Sequence, residues 1–600
     1  MDNILYFIIF YILFVGWIVA VYSYGHYIAK LFTLKCPIPS NIIWISGLFG
    51  LIFLSSLITI INIFLPISLL IASIILIIGL ILGSIQFIKI KPNYQIIVLY
   101  GLVTFIIYYA VIFGWSNYYD TGLYHLPAIK WIINNITPFG LANLHFRFGF
   151  NSIWFPLSAL IDQGSILLNR PIFLINGILL FFYTTLIGDI LKPFIKEIRQ
   201  NIFSISTSKI STFVRSLNCK DWFFLLTILP VTYVTPIFLS SPSPDFPIFL
   251  LTLTVIGNAI ELVEEETEVD NFQTWISIII ASFAFAIKLS AILLLLMSAL
   301  FLFFSQIKIR STRELVEMPI LPKTIFPFLR NIPRYCWFFF LIIFIPMTIR
   351  GIILSGNPIF PIAIGSQSYL PWATSAETTR VAAEDVTAWA RLPGVHYKDS
   401  LGNNSWIWDW IDQFIVHQMP LIVTVSGALI LVGIVLYFSV KPEMELQESK
   451  KIIISCYPLV LILAGLTFWF MSAPDTRFAL GFLYALPIVI LLFPYIILKR
   501  PFSSYLVKIL IVILIGQFLI SATLMGPYYV GLFNNNGEIP VFPEVSYTIN
   551  TTNSGERIII PENTDQTWNL PLPNSIYFDE NLSITRDRIT RQYIMFTTNE

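Results

Sequence analysis

The sequence predicts an all-α polytopic membrane protein with about 14 transmembrane helices, an external loop carrying amphipathic helices, and a small mixed C-terminal tail. Three observations carry that expectation. Of the 600 residues, 56% are hydrophobic and only 12% are charged, and the mean hydropathy of +0.80 exceeds that of soluble domains. Runs such as Ile4–Val21 and Ile67–Ile88 are long enough to cross ~30 Å of hydrocarbon as helices. Lysines and arginines recur in alternate connections, which is the pattern that fixes orientation in a bilayer.

Taken in order, the apolar segments are approximately 4–22, 42–64, 67–88, 95–113, 171–190, 222–240, 246–262, 273–287, 289–304, 335–353, 420–439, 452–471, 479–497 and 504–524. Basic residues follow the odd-numbered segments: Lys30 and Lys35, Lys89 and Lys91, the group from Lys192 to Lys220, the group from Lys308 to Arg334, Lys441 with Lys450 and Lys451, and Lys499 with Arg500. One alternation puts all of these on the cytoplasmic side. The N-terminus is then outside, and the first segment, without the basic n-region of a cleaved signal, reads as a retained helix. The chain divides into a multi-pass domain (1–525), with external loops at 114–170 and 354–419, and an extracytoplasmic tail (526–600).

Several local readings complete the layout. Phe150–Asp162 is short and interrupted by Pro156, so it is expected to lie against the outer surface. Leu123, Leu126, Ile129 and Ile133 recur at helical spacing and predict an amphipathic surface helix over 123–133. The acidic run Glu261–Asp270 reads as a solvated inner linker. The tail is punctuated by Pro540, Pro543, Pro561, Pro571 and Pro573, with β-type runs at Arg557–Ile560 and Ser575–Phe578.

Composition also excludes. A net charge of +1 argues against nucleic acid as a partner. The four cysteines, Cys36, Cys219, Cys336 and Cys456, have neither disulfide-framework nor metal-ligand spacing. The phosphate-binding loop of ATP-driven transporters, the H-E-x-x-H of zinc proteases and the nucleophile elbow of serine hydrolases are absent from the loops.

The alternation places every polar cluster of interest on the outer face. The densest is Trp115–Ser158, which holds Asp120, His125, Lys130, His145 and Arg147. A carboxylate at Asp120 can act as general base on an acceptor hydroxyl or amine, or hold a divalent cation against a phosphate; Asp-Thr-Gly before an apolar run equally suits a helix N-cap. Tyr118, Tyr119 and Tyr124 offer faces for stacking on sugar rings. His125 can carry a proton or contact phosphate, or be an interfacial aromatic with one hydrogen bond. Arg147 can clamp a phosphate bidentately, or snorkel. Asp245, in SPSPDFP, is a second candidate carboxylate or an N-cap. Lys288 is the lone charge between Asp270 and Lys308, and at the apex of a short helix pair it would meet an anionic lipid phosphate. Arg350 ends a span before the rigid turn Ser355–Pro361. Asp475 and Arg477, in SAPDTRF, read as a local ion pair or as an arginine presented to a phosphate.

Asp120 early in the first large external loop, Lys288 on short helices, Asn357-Pro-Ile-Phe-Pro361 and Pro474-Asp-Thr-Arg-Phe478 together resemble the GT-C superfamily of lipid-dependent glycosyltransferases, which includes the protein O-mannosyltransferases and the bacterial aminoarabinose transferase. The DTGLYH…RFGFNS block also looks like an uncharacterised bacterial multi-pass membrane protein family. The resemblance, over roughly residues 95–500, implies a polyprenyl-phosphate-linked sugar as donor, Asp120 as catalytic acid-base residue and Lys288 facing the lipid phosphate. It departs where many members carry paired acids, since Thr121 and Gly122 follow Asp120. A divalent cation (Mg or Mn) would then call on Asp120 and Asp245. The expected function is transfer of a sugar to a glycan, lipid or protein acceptor on the outer face of a prokaryotic plasma (inner) membrane. The alternatives are a polysaccharide polymerase or ligase, which would lean on external arginines, and a multi-pass transporter, which should carry mid-membrane charges and repeated halves.

Overall fold

The computed structural model describes residues 3–33, 42–87, 118–200, 207–264, 272–306, 332–439, 455–498 and 540–598, with scattered positions in 103–107 and 511–523. It is mostly helical. The helices are α1 (Asn3–Thr33), α2 (Ile42–Phe64), α3 (Leu69–Phe87), α4 (Leu126–Asn134), α5 (Trp154–Ile161), α6 (Gln163–Leu167), α7 (Ile175–Gln200), α8 (Thr207–Ser216), α9 (Cys219–Leu226), α10 (Ile228–Leu239), α11 (Asp245–Glu264), α12 (Phe272–Ile287), α13 (Ile292–Gln306), α14 (Arg334–Ser355), α15 (Ala376–Arg391), α16 (Trp406–Ser439), α17 (Tyr457–Ser472) and α18 (Leu480–Leu498). The strands are β1 (Tyr547–Thr551), β2 (Arg557–Pro561), β3 (Leu582–Arg586) and β4 (Tyr593–Thr598).

Among the described residues, seven helices are long and apolar enough to cross a membrane: Leu5–Phe32, Ile42–Phe64, Leu69–Gln86, Ile175–Lys196, Cys219–Leu239, Asp245–Glu264 and Arg334–Ser355. Trp406–Gln418 and Leu421–Ile430, bent by 81°, make an eighth if taken as one span. The apolar segments at 273–287, 289–304, 452–471 and 479–497 form helices too short to count by themselves. Most of 95–113, of 504–524 and of the acidic run 261–270 lies outside the described residues. The chain is thus a multi-helix membrane protein.

Close packing of the first two helices shows how the bundle is held. A Cβ on Gly25 would lie 1.7 Å from the Ser46 carbonyl oxygen, and one on Gly50 would lie 1.9 Å from that of Val21. Only glycine allows α1 and α2 to touch backbone to backbone, the small-residue contact that membrane helices use where no hydrophobic drive exists between them. The most buried span is α11, with 94% of its apolar window inside the protein; it packs against α12, α17 and α18. An element so enclosed can place its first residue, Asp245, accurately.

Two surface expectations are corrected. Trp154–Ile161 is buried on every side and packs on α2, α3, α4 and α7. Its proline, Pro156, falls in the first turn, where a missing N–H costs nothing. Asp162 then accepts from the Leu174 and Ile175 backbone N–H groups (2.6 and 3.3 Å), satisfying the open N-terminus of α7. The predicted helix over 123–133 is also interior: Leu126, Ala128, Ile129, Trp131 and Ile132 are buried. Asn62, at the end of α2, holds it by donating to the carbonyls of Ile132 and Asn135 (3.2 and 3.0 Å).

The tail is what covers that helix. It forms two antiparallel hairpins, β1–β2 and β3–β4, so Arg557–Ile560 is a strand whereas Ser575–Phe578 is not; only Asn574 bridges, to Ile559. Phe139 and β4 exchange backbone bonds, Phe139 N–H to Ile594 and Phe596 N–H to Phe139 (both 2.8 Å). Trp131 meets Tyr593 and Phe596 edge-on at 5.1 and 5.6 Å. Lys130 donates to Asn569 Oδ1 (2.8 Å) and the Leu570 carbonyl (2.9 Å).

Candidate active site

Asp120 precedes a π-helical turn, Thr121–His125, that runs into α4. Single π turns inside α-helices occur often at functional sites because they re-aim side chains. Here the turn is pinned from both sides. The Thr121 hydroxyl shares a hydrogen bond with Ser241 (2.7 Å), and Asn176 donates to the Ser241 and Ser243 carbonyls (2.8 and 3.1 Å), so the approach to Asp245 and the approach to Asp120 form one unit. On the other side the Gly122 carbonyl accepts from Thr567 and Trp568 N–H groups of the tail (2.9 and 3.0 Å). Asp120 occupies the N-cap position but makes no capping bond. Its carboxylate is committed elsewhere.

That commitment is to Arg477, whose Nη1 donates to Asp120 Oδ2 at 2.6 Å. The same guanidinium donates through Nε to Asp475 Oδ2 (2.7 Å) and through Nη1 to the Tyr118 hydroxyl (3.2 Å). Tyr118 in turn donates to Asp245 Oδ2 (2.7 Å), and Asp245 is ion-paired with Lys288. Lys288 Nζ lies 3.7 Å from the centre of the Phe478 ring. Burial, the largest influence, would raise the Asp120 pKa, but Arg477 together with the weaker pull of His125 and Arg147 holds the carboxyl below its ordinary value. Arg477 shifts up: burial would lower it, yet Tyr118, Asp120 and Asp475 more than compensate.

These groups surround a cavity of about 530 Å³. Of the residues singled out from sequence, Tyr119, Asp120, Tyr124, Arg147, Lys288, Asp475 and Arg477 line it. It collects the ends of α12 and α17, the start of α13, Pro244 just before α11 and Met347 of α14, so helix termini of opposite polarity meet there. Its wall is divided between these charges and apolar side chains such as Phe285, Ile292, Met347 and Phe468.

Three predicted residues stand behind the wall. Asp245 is 3% exposed and fixed by Lys288, Tyr118 and Ser243. His125 is 1% exposed, and neither ring nitrogen has a hydrogen-bond partner; it stacks on Tyr118 at 6.0 Å and meets Tyr124 edge-on at 4.4 Å. Burial pushes it down to about 4, so it is neutral at physiological pH, and it does not line the cavity. Arg350 is also buried, donating to Asn151 Oδ1 (2.8 Å), and it is Asn151 that reaches the cavity. The anticipated Lys288–lipid contact is modified likewise, because Lys288 already has Asp245 as its counter-ion.

Other residues were not singled out. Arg147 pairs with Asp385 of α15 (2.9 Å), to which Tyr397 also donates (2.6 Å). Tyr119 bonds Asp565 of the tail, and Tyr577, also of the tail, lines the cavity. Nothing in the polar stretches 376–400 and 553–580 marks these positions among their charged neighbours; the fold alone selects them. A divalent ion fits this donor set poorly. Asp120 and Asp245 are each taken by a cation, and among the described residues no group of three His, Cys, Asp or Glu side chains could hold a metal.

Fold and cavity together define a class: a multi-pass helical membrane protein with a cavity of paired charges where its helix ends converge. Residues 5–484 match the family described as "Domain of unknown function (DUF8201)", and the chain belongs to that family. The match includes Asp120, Lys288, Asp475 and Arg477 and stops before the tail. Neither a curated protein nor a solved structure matches the chain.

Proposed function

We propose that the protein is an inverting glycosyltransferase of the GT-C kind, moving a sugar from a polyprenyl-phosphate carrier to an acceptor at the outer face of a prokaryotic plasma membrane. In this reading the chain crosses the bilayer about 14 times, the shorter helices near the cavity complete crossings together with their neighbours, and the tail is extracytoplasmic. The observation that carries the reading is a carboxylate, Asp120, bound to an arginine at the wall of a cavity lined both by apolar side chains and by paired charges that include Arg477 and Lys288. A lipid-linked phosphate sugar has those same two halves.

The chemistry follows from the pairings. The donor phosphate competes with Asp120 for the Arg477 guanidinium, which matches phosphate in bidentate geometry. Asp120 is thereby released, and burial, no longer opposed by Arg477, raises its affinity for a proton. It takes the proton of the acceptor hydroxyl or amine as that atom bonds to the anomeric carbon. The bond from the anomeric carbon to the phosphate oxygen breaks, and the lipid phosphate leaves with the electron pair. Phosphate needs no acid to leave, so one carboxylate suffices.

The test is sugar transfer or release from a panel of radiolabelled polyprenyl-phosphate sugars by the purified protein and by Asp120→Asn. Turnover that drops at least ~10²-fold in the variant supports the mechanism. Equal turnover in both removes Asp120 as the base. Absence of both turnover and binding with every donor overturns the function.

A further inference from the structure

The mouth of the cavity differs from its floor. Tyr119, Trp389 and Tyr577 come from three separate segments and are 50%, 40% and 48% exposed, yet all three line the same cavity. Large aromatic rings left open to solvent around one opening invite an apolar face. They are also held in place. The Tyr119 hydroxyl is bonded to Asp565, Trp389 meets Tyr397 edge-on at 5.2 Å, and Tyr577 stacks on Phe146 at 5.9 Å.

Asp565, bonded to Tyr119, lines the same cavity, as do Arg147 and Asp385. Arg147 balances Asp385. Among the described residues no cation pairs with Asp565, so the mouth keeps one net negative charge. Carboxylates and a guanidinium beside fixed aromatic faces suit a ligand whose rings have an apolar C–H face and an edge of hydroxyls that both donate and accept. We infer that this mouth is an acceptor subsite for a saccharide that is neutral or amine-bearing, with Trp389 and Tyr577 as its stacking platforms and Asp565 as its hydroxyl or amine partner. The inference rests on the transferase reading and names its acceptor: a glycan, not a protein and not an acidic sugar.

Binding is measured on the full chain in nanodiscs by saturation-transfer NMR. The probes, each at about 1 mM, where binding free energies near 4 kcal/mol become visible, are tetrasaccharides of N-acetylglucosamine, mannose, glucosamine and galacturonic acid, with a lysine-rich peptide as competitor class. At least one neutral or amino tetrasaccharide should bind and the galacturonate should not. Trp389→Ala and Tyr577→Ala should each weaken binding roughly tenfold or more, the scale of losing an aromatic anchor; Trp389→Tyr should restore most of it. Trp408→Ala, at an exposed aromatic that does not line the cavity, should leave glycan binding intact. Absence of binding by every saccharide, preference for the peptide or the acidic glycan, or indifference to both aromatic substitutions overturns the inference. Donor binding is measured on the same samples. If donors bind and glycans do not, only the acceptor subsite falls. If glycans bind and donors do not, it is the transferase reading that fails.

Discussion

Asp120 and Arg477 are 357 positions apart and meet at 2.6 Å. Arg477 is shared, since Nε serves Asp475 while Nη1 serves Asp120. A lysine carries one point charge and cannot satisfy both carboxylates in fixed geometry. Arg477→Lys should therefore lose transfer activity nearly as completely as Arg477→Gln, by ~10²-fold or more. Arg477→Gln should also lower stability by about 3 kcal/mol, the low end for breaking a buried pair because both partners keep some exposure. Turnover and thermal unfolding of the two variants check this; a lysine variant that works at near wild-type rate contradicts it.

The Lys288–Asp245 pair makes a different prediction. Lys288→Met strands a carboxylate that is 3% exposed, at a cost of roughly 3–5 kcal/mol. Lys288→Met combined with Asp245→Asn removes both charges and should regain most of that stability, with a positive coupling in the double-mutant cycle. In the transferase reading Lys288 adds a cation beside the donor phosphate held by Arg477, so activity should stay lost. Recovery of turnover in the double variant would make the pair purely structural.

How much of this was legible in the sequence depended on the background. In a chain with so few charges, Asp120, Lys288 and Arg477 stood out, and each lies at the cavity. Asp245 and Asp475, which pair with Lys288 and Arg477, stand out too, but other partners do not. Tyr118 reads only as one of three stacking faces, and its bond to Asp245 spans 127 positions. Asp385 and Asp565 sit in polar segments where charge is ordinary. Short helices were misread for a related reason: an apolar segment of eight residues, Trp154–Ile161, looks the same whether it will rest on a surface or be enclosed. The enclosure of α4 depended on a tail that arrives more than 400 residues later.

His125 predicts a pH effect. Its folded pKa, lowered to about 4 from an ordinary 6.5, means that the unfolded chain binds a proton between those values and the native protein does not. Stability therefore falls as pH drops from 6.5 toward 4, by about 3 kcal/mol in full. His125→Phe fits among Tyr118, Tyr124 and Phe155 and should flatten that part of the profile. Unfolding temperatures of both proteins at pH 7 and pH 5 decide it: parallel losses would mean that another group is responsible.

The tail should matter to Asp120 through Gly122. A Cβ at Gly122 would lie 2.4 Å from the Trp568 ring, too close for either to stay, and the Gly122 carbonyl is the acceptor for Thr567 and Trp568 N–H groups. Gly122→Ala must push away the tail or unwind the π turn that aims Asp120. Because a misplacement of about 1 Å can cost ~10²-fold, transfer should fall by at least tenfold, with donor binding at Arg477 largely kept. A smaller ring makes room, so Trp568→Leu added to Gly122→Ala should recover part of the activity, although Trp568→Leu alone weakens it. This sign reversal distinguishes positioning from simple loss of stability. A tail that only covers the surface would give two losses that add; a tail that sets the π turn gives a second substitution that repairs the first.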